Sequence, residues 1–188
     1  VAFSCKGRGI CPSCGGRRMA DAAAHWLDHV LPDVPMRQWV LTLPFRLRYL
    51  LAYDAALCSE VLGVFVGTLF AWQRRRAEAL GVDHPKTGSV TAIQRFGSAL
   101  NLNVHFHTLY FDGVYALTRG ATGPVFVELA APTDGEIAHL AATVRQRVLL
   151  LVRRRGRLAE LDSPDPEPDL LSLDEPTLAA FYSASIQG

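Results

Sequence analysis

The sequence predicts an α+β domain in which an antiparallel sheet is covered on one face by two helices. Strand and helix periodicities alternate as strand, helix, strand, strand, helix over residues 33–157. That order is the split βαβ plan of ferredoxin-like and RRM-like domains. With 188 residues, 49% of them hydrophobic, the chain can bury a core of its own. Cysteines and basic residues ahead of the sheet predict a partial zinc ribbon.

Three parts are expected along the chain. Residues 1–32 form the partial zinc-binding region and a helix, and residues 33–157 form the domain that contains the sheet. Residues 158–188 form an acidic, Pro-rich linker and the start of a C-terminal part that continues beyond the given sequence. The start lacks both Met and a signal peptide, and no apolar run reaches the roughly 20 residues of a membrane span. We therefore expect a piece of a longer cytoplasmic protein, bacterial and associated with the nucleoid.

Charge is distributed unevenly. Residues 158–188 contain seven acids and no Lys or Arg, whereas residues 1–157 carry eight more basic than acidic side chains. A basic body with an acidic tail is typical of a protein that binds a polyanion. An ordinary solvated surface explains the same composition equally well.

Three cysteines, Cys5, Cys11 and Cys14, lie close to the start of the chain. A Cys-Pro-x-Cys turn directs two thiolates at one metal and is the knuckle of many zinc ribbons. Three thiolates are one ligand short of a closed tetrahedral site, and a redox pair or free thiols is the alternative. Further on, His25 and His29 share one face of a helix predicted over residues 19–31, either as ligands or, more simply, as a structural pair.

The first strand is predicted at residues 37–44, followed by an amphipathic helix over about residues 50–72 with a break near Tyr53-Asp54. Cys58 lies in the apolar pattern of that helix and is expected in the core. Arginines 74–76 and then Gly81 mark its end.

A second strand at residues 89–97 and a hairpin connection at 98–103 lead into a third, antiparallel strand. Residues 115–117 are predicted to extend the third strand past a turn at Asp112-Gly113. A further short strand is expected at 125–129. Thr133-x-x-Glu136 is a capping box that opens the second helix, which ends at arginines 153–155, and a short helix is expected around residues 175–184.

The functional signal lies in the third strand, where His105 and His107 flank Phe106. Alternate side chains of a strand share a face, so the two imidazoles lie roughly 7 Å apart along the chain. Such a pair can hold one divalent cation or one phosphate oxygen, although two ordinary half-exposed histidines give the same short pattern. In the split βαβ plan this strand is central, which puts the pair on the open face where a nucleic acid strand could lie.

Three segments together resemble the transposases of the insertion sequence 91 family. They are Ser-Cys-Lys-Gly-Arg-Gly-Ile-Cys-Pro-Ser-Cys at 4–14, Gln-Arg-Phe-Gly at 94–97 and Leu-Asn-Leu-Asn-Val-His-Phe-His at 100–107. These are rolling-circle enzymes of the HUH type (His, a bulky apolar residue, His), with a zinc-binding region ahead of the nuclease. The resemblance extends over essentially the whole chain. The gap between Cys5 and Cys11 is one residue longer than the family's usual spacing.

The resemblance implies a mechanism and a set of ligands. A tyrosine hydroxyl attacks a phosphodiester of one DNA strand, leaving a 5′-phosphotyrosine and a free 3′-OH, and Mg²⁺ or Mn²⁺ on His105 and His107 polarises the phosphate. Gln94, on the partner strand, is the candidate third ligand, with Asp112 as the runner-up. The implied partner is DNA, as single-stranded or hairpin transposon ends, and the implied metal at the cysteines is Zn²⁺. The expected DNA contacts are Lys6, Arg8, Arg17, Arg18 and Arg95.

The nucleophile is expected outside this stretch of sequence, because family members place it on a helix well after the histidine motif. Tyr49 and Tyr53 belong to the first helix, and Tyr110 and Tyr115 belong to the sheet. Tyr182 has a suitable position but follows an acidic linker that DNA would avoid. The chain would then hold the metal half of the site and be inactive alone.

Two other classes of function remain. A non-catalytic zinc-ribbon and RRM-like module would bind nucleic acid by stacking bases on aromatic side chains of the sheet, yet histidines occupy the outward positions of the central strand. A metal-dependent hydrolase would need carboxylates near the histidines, and Asp112 is the only acid between Asp83 and Glu128.

Overall fold

The structure is a computed structural model that describes residues 12–97, 101–117 and 122–162. The chain divides into two compact units, Val1–Val34 and Pro35–Gly188. Several predicted features lie outside the described residues. They are Cys5, Cys11, Lys6, Arg8, Tyr182, the hairpin connection at 98–100, the linker beyond residue 162 and the helix expected around 175–184.

The first unit contains helix α1, Pro12–His25, which continues into a π-helical turn, Trp26–Val30. This helix begins well before the predicted start at Met19. Proline suits the first position of a helix, because its missing N–H would have had no partner there. Cys14 therefore lies in the first turn of this helix. The helix stops at Leu31, which is extended as expected for a residue that precedes proline.

The second unit is built on a three-stranded antiparallel sheet, which confirms the predicted α+β class. Its strands are β1 (Met36–Leu41), β2 (Ser89–Phe96) and β3 (Leu102–Phe111), in the spatial order β1-β3-β2. Because β3 pairs with both neighbours, the histidine strand is central, as predicted. The helices that follow β1 supply the crossover of the split βαβ plan.

The crossover consists of α2 (Phe45–Tyr53) and α3 (Ala55–Ala79), separated at Asp54. The carboxylate of Asp54 accepts a hydrogen bond from the Leu57 N–H at 2.9 Å, which caps the start of α3. Gly81, with φ +82°, ends this helix as the sequence indicated. The last helices are α4 (Asp134–Arg154), with the predicted capping box, and the short α5 (Ala159–Asp162).

The core lies between one face of the sheet and the helices α2, α3 and α4. Val104, Phe106 and Tyr110 of β3 are buried there against apolar side chains of all three helices. By length and composition α3 could cross a membrane, but its buried face packs in this core. Cys58 is part of the core, as predicted, and burial raises the pKa of its thiol.

The segment after β3 differs from the prediction. Gly113–Leu117 does not extend the three-stranded sheet but forms β4, which pairs with β5, Pro124–Glu128, in a separate hairpin. The change of direction occurs at Gly113, where an added Cβ would overlap the carbonyl oxygen of Val127. The aromatic rings of Phe111, Tyr115 and Phe126 pack edge to face and hold the hairpin together.

Candidate metal centre and nucleic-acid interface

The two histidines of β3 lie side by side on the face of the sheet opposite the one that packs against α2, α3 and α4. The centroids of the His105 and His107 rings are 4.8 Å apart, with an angle of 63° between their planes. Phe106, between them in sequence, is fully buried in the core on the opposite face. Strand alternation therefore brings two imidazoles together, as the sequence predicted.

Both neighbouring strands contribute side chains to the surroundings of the pair. Gln94 of β2 pairs directly with His105, and Val40 of β1 pairs directly with His107. Directly paired residues of antiparallel strands share a face, so Gln94 lies on the same side of the sheet as the imidazoles. Gln38 lies two residues from Val40 and so belongs to this face as well.

The pair is more buried than the rest of this face. His105 is 9% exposed, whereas Val40 is 50% and Leu109 40% exposed. The alternative of two ordinary half-exposed histidines does not describe His105, which is buried, whereas His107 is partly buried. Polar rings kept out of water need partners for their nitrogen atoms, which makes the bonds at each nitrogen informative.

His105 has one nitrogen committed to the backbone. Its Nδ1 lies 2.6 Å from the carbonyl oxygen of Asn103. A carbonyl can only accept, so Nδ1 carries the hydrogen of the neutral ring and Nε2 keeps its lone pair. That is the tautomer in which Nε2 can ligate a metal.

His107 is held from a different strand. Its Nδ1 lies 2.7 Å from Nε2, the amide nitrogen of the Gln38 side chain, so in this orientation the amide donates and Nδ1 accepts. Its Nε2 is buried and has no hydrogen-bond partner within the part of the chain that the structure describes. A buried ring nitrogen without a partner is costly unless something else binds it.

The described residues contain no group of three His, Cys, Asp or Glu side chains around a common point. A third protein ligand at the histidines would therefore have to be of another type, and the amide oxygen of Gln94 has the position for it. Asp112, the runner-up, is engaged elsewhere: its two carboxylate oxygens accept from Nε and an Nη of Arg37 at 2.9 and 3.1 Å. That hydrogen bond raises the pKa of Arg37.

These donors fit a divalent cation. Nε2 of His105 has a free lone pair, and the unpartnered Nε2 of His107 has one when the Gln38 amide presents its oxygen to Nδ1. Both are borderline ligands, and an amide oxygen from Gln94 suits Mg²⁺ or Mn²⁺. The fit depends on Nε2 of His107, which is buried and receives no hydrogen bond from any described protein group.

Comparison with protein families finds a match in each of the two units. A family model described as "Transposase zinc-binding domain", of the insertion sequence 91 type, matches residues 1–43, and a model described as "Putative transposase" matches residues 88–169. The chain belongs to the insertion sequence 91-type transposases. No curated protein and no solved structure matches it. The zinc-binding model includes Cys5, Cys11 and Cys14, and the second model includes the histidine pair and Gln94.

The predicted DNA contacts of the transposase are found in different places. Arg17 and Arg18 are exposed on α1 of the first unit. Arg95 donates to the carbonyl of Ala52 at 3.2 Å, close to the end of α2. His25 and His29 form a ring contact of 5.1 Å on the same helix as the two arginines and its π-helical extension.

None of the tyrosines within the described residues lies beside the histidines. Tyr49 and Tyr53 are exposed on α2, a helix whose buried face packs on the other side of the sheet. Tyr110 is buried, and its hydroxyl donates to the carbonyl of Leu69 at 3.1 Å. Tyr115 lies in the separate hairpin and packs against Phe126.

Sequence reasoning missed Gln38 as a neighbour of the metal pair. The alternation along β1 already placed it on the polar side of that strand. Its contact with His107 depends on the register between β1 and β3, in which Gln38 pairs with Leu109. Register is set by long-range packing, and no local pattern in the sequence reports it.

Proposed function

We propose that this transposase binds Mg²⁺ or Mn²⁺ through His105 and His107 and cleaves one strand of transposon-end DNA. In this proposal the enzyme is of the HUH type and works by rolling-circle transposition. The observation that carries it is the buried Nε2 of His107, which has no partner among the described residues, beside the His105 ring on the face of the sheet opposite α2, α3 and α4. In a transposase, which acts on DNA phosphates, two adjacent imidazoles favour a cation-binding role over a purely structural one.

The chain's own residues prepare this site in separate ways. The carbonyl of Asn103 holds His105 in the tautomer that leaves Nε2 free. Gln94, opposite His105, can add an oxygen ligand from β2. When bound, the cation would neutralise charge on the scissile phosphate and make it a better electrophile. Val40 and Leu109, which flank the pair on this face, are exposed, and an extended DNA strand, single-stranded or at a hairpin end, would lie along them.

The attacking hydroxyl in this proposal belongs to a tyrosine outside the described residues. Its oxygen forms a bond to phosphorus, the bond from phosphorus to the 3′ oxygen breaks, and a 5′-phosphotyrosine and a free 3′-OH result. The reverse reaction with another 3′-OH would join strands without ATP. Tyr182 is a poor candidate because acidic residues precede it.

The first unit is proposed to recognise DNA as well. Zn²⁺ would be held by Cys5, Cys11 and Cys14, with the remaining ligand from elsewhere, and the basic residues between and after them would contact phosphates. Those residues are Lys6, Arg8, Arg17 and Arg18, and Arg95 adds one more in the second unit. The proposed place of action is the nucleoid in the bacterial cytoplasm.

A cleavage assay tests the proposal. The chain, and the product of the complete open reading frame that contains it, are incubated with labelled single-stranded transposon-end DNA and Mn²⁺. We expect a covalent protein–DNA adduct with the reading-frame product, lost in His105→Ala and retained in His139→Ala, which changes an exposed histidine of α4. Salt-sensitive binding without an adduct in either version would instead indicate a non-catalytic nucleic-acid-binding module.

A further inference from the structure

The two histidines of the proposed metal pair have their Nδ1 atoms held in different ways. His105 bonds a backbone carbonyl of its own strand, which can only accept. Nδ1 of His107 lies 2.7 Å from the amide nitrogen Nε2 of Gln38, which reaches over from β1. An amide can either donate or accept, so the tautomer of His107 is not fixed by the backbone but depends on this one side chain.

Each orientation of the Gln38 amide has a definite consequence for the ring. If its nitrogen donates to Nδ1, the neutral ring carries its hydrogen at Nε2 and cannot ligate a metal there. If the amide turns over, its oxygen accepts from Nδ1–H and the lone pair moves to Nε2. The two orientations occupy the same space, since the oxygen and nitrogen of an amide are nearly the same size.

We infer that Gln38 is a positioning residue for the metal pair. With its amide turned over relative to the structure, its oxygen accepts from Nδ1–H of His107, holds the ring plane and leaves the buried Nε2 free for the cation. The inference rests on the proposed function, because it assigns the outer partner of a proposed ligand. Such outer partners fix the tautomer and raise the basicity of ligating histidines, and their loss typically weakens metal binding about 10–100-fold.

The register between β1 and β3 explains why Gln38, among the residues of β1, contacts Nδ1 of His107. Val40 pairs directly with His107 but has no polar atom, and Trp39 faces the core. Gln38 lies one step along the same face, at the pairing position of Leu109, and a side chain of its length spans that diagonal. A shorter amide would fall short of the ring.

Three variants of the chain separate this role from a merely structural one. In Gln38→Glu the carboxylate can only accept, so the affinity for Mn²⁺ should equal or exceed that of the unchanged chain. Gln38→Leu removes the bond and should weaken Mn²⁺ binding about tenfold or more. Gln146→Leu makes the same chemical change on the exposed surface of α4 and should leave the affinity unchanged. Isothermal titration calorimetry with Mn²⁺ measures the affinity of the three variants. Mn²⁺ is a suitable probe because it binds cysteine thiolates poorly and so reports on the histidine site.

A second readout needs no metal. Long-range ¹H–¹⁵N correlation spectra at pH 8 identify which nitrogen of each neutral imidazole carries hydrogen. We expect His107 to carry it at Nδ1 in Gln38→Glu and to shift towards Nε2–H in Gln38→Leu, with His105 unchanged in both. If the tautomer of His107 is the same in both variants, the inference is wrong. If the tautomers shift as expected but no protein binds Mn²⁺, the proposed function fails while the role of Gln38 in setting the ring stands.

Discussion

At the scale of single residues, the face of the sheet opposite α2, α3 and α4 contains two imidazoles whose Nδ1 atoms have different hydrogen-bond partners, a backbone carbonyl for His105 and a side-chain amide for His107. The alternation of side chains along β3 already required His105 and His107 to share a face, and the sequence predicted that correctly. The bonds at their nitrogens could not be predicted, because one comes from the strand's own backbone and the other from Gln38 on a neighbouring strand. The role of Gln94 stays a prediction, although its place opposite His105 agrees with it.

Tyr110 gives a residue-scale prediction about pH. Burial raises the pKa of its hydroxyl above the ordinary value of about 10, which the unfolded chain retains. Because the pKa is higher in the folded state than in the unfolded chain, the Tyr110 hydroxyl contributes fully to the free energy of unfolding below about pH 10. That contribution is lost as the pH rises further. We expect Tyr110→Phe to cost about 1 kcal/mol at pH 7, from the bond to Leu69, and to flatten the fall in stability above pH 10.

Urea unfolding at pH 7 and between pH 9 and 11 measures both effects. Tyr115→Phe is the matched control, because it removes a hydroxyl from a partly exposed ring of the hairpin. An equal fall in the unfolding free energy above pH 10 for the original chain and Tyr110→Phe would contradict the assignment.

At the scale of elements, the helices were more predictable than the strands. The capping box at Thr133, the break at Asp54 and the glycine after α3 all depend on a few neighbouring residues, so they were visible in the sequence. The departure of β4 from the sheet was not visible. It depends on the close approach of Gly113 to Val127 on another strand, which no local pattern encodes.

The capping box of α4 should contribute measurable stability. The Thr133 hydroxyl accepts from the Glu136 N–H at 3.3 Å, and the Glu136 carboxylate accepts from the Thr133 N–H at 2.9 Å. The backbone bond from Thr133 is the main cause that lowers the pKa of Glu136. We expect Thr133→Ala to lower the unfolding free energy by about 1 kcal/mol in urea titrations. Thr143→Ala, within the same helix, should change it little, and equal losses in the two variants would refute a capping role.

The turn into β4 should require glycine. In Gly113→Ala the new methyl group would collide with the Val127 carbonyl and the Phe126 ring, so the hairpin must shift. We expect a loss of roughly 2 kcal/mol in the unfolding free energy. Gly123→Ala, at a position with nothing near the new methyl group, should have almost no effect. Similar stabilities of the two variants would show that the hairpin adapts freely.

At the scale of the whole molecule, the sequence predicted the class of fold, the central position of β3 and the kind of protein. Family comparison confirms the transposase. What remains a proposal is the chemistry, since it depends on a metal and a tyrosine that composition cannot place. The uneven charge, basic before residue 158 and acidic after it, still has a testable consequence for DNA binding.

Removing the acidic segment should strengthen DNA binding. A chain that ends at residue 162 loses five acids and no Lys or Arg, and it keeps Leu161, which packs against the core. We expect its affinity for single-stranded DNA to rise several-fold at low salt, with the difference shrinking as salt screens the charges. Fluorescence anisotropy measures this. A chain of all 188 residues in which those five acids become Asn or Gln should behave like the shortened one, and unchanged affinity in both would contradict the electrostatic account.

The most direct test of the metal pair is anomalous X-ray diffraction from crystals of the chain soaked in Mn²⁺. The account predicts one manganese peak bonded to Nε2 of both His105 and His107, absent from crystals of His107→Ala. Fully occupied manganese sites elsewhere in the crystal with no peak between the two rings would contradict the account. So would a peak between the rings that persists in His107→Ala.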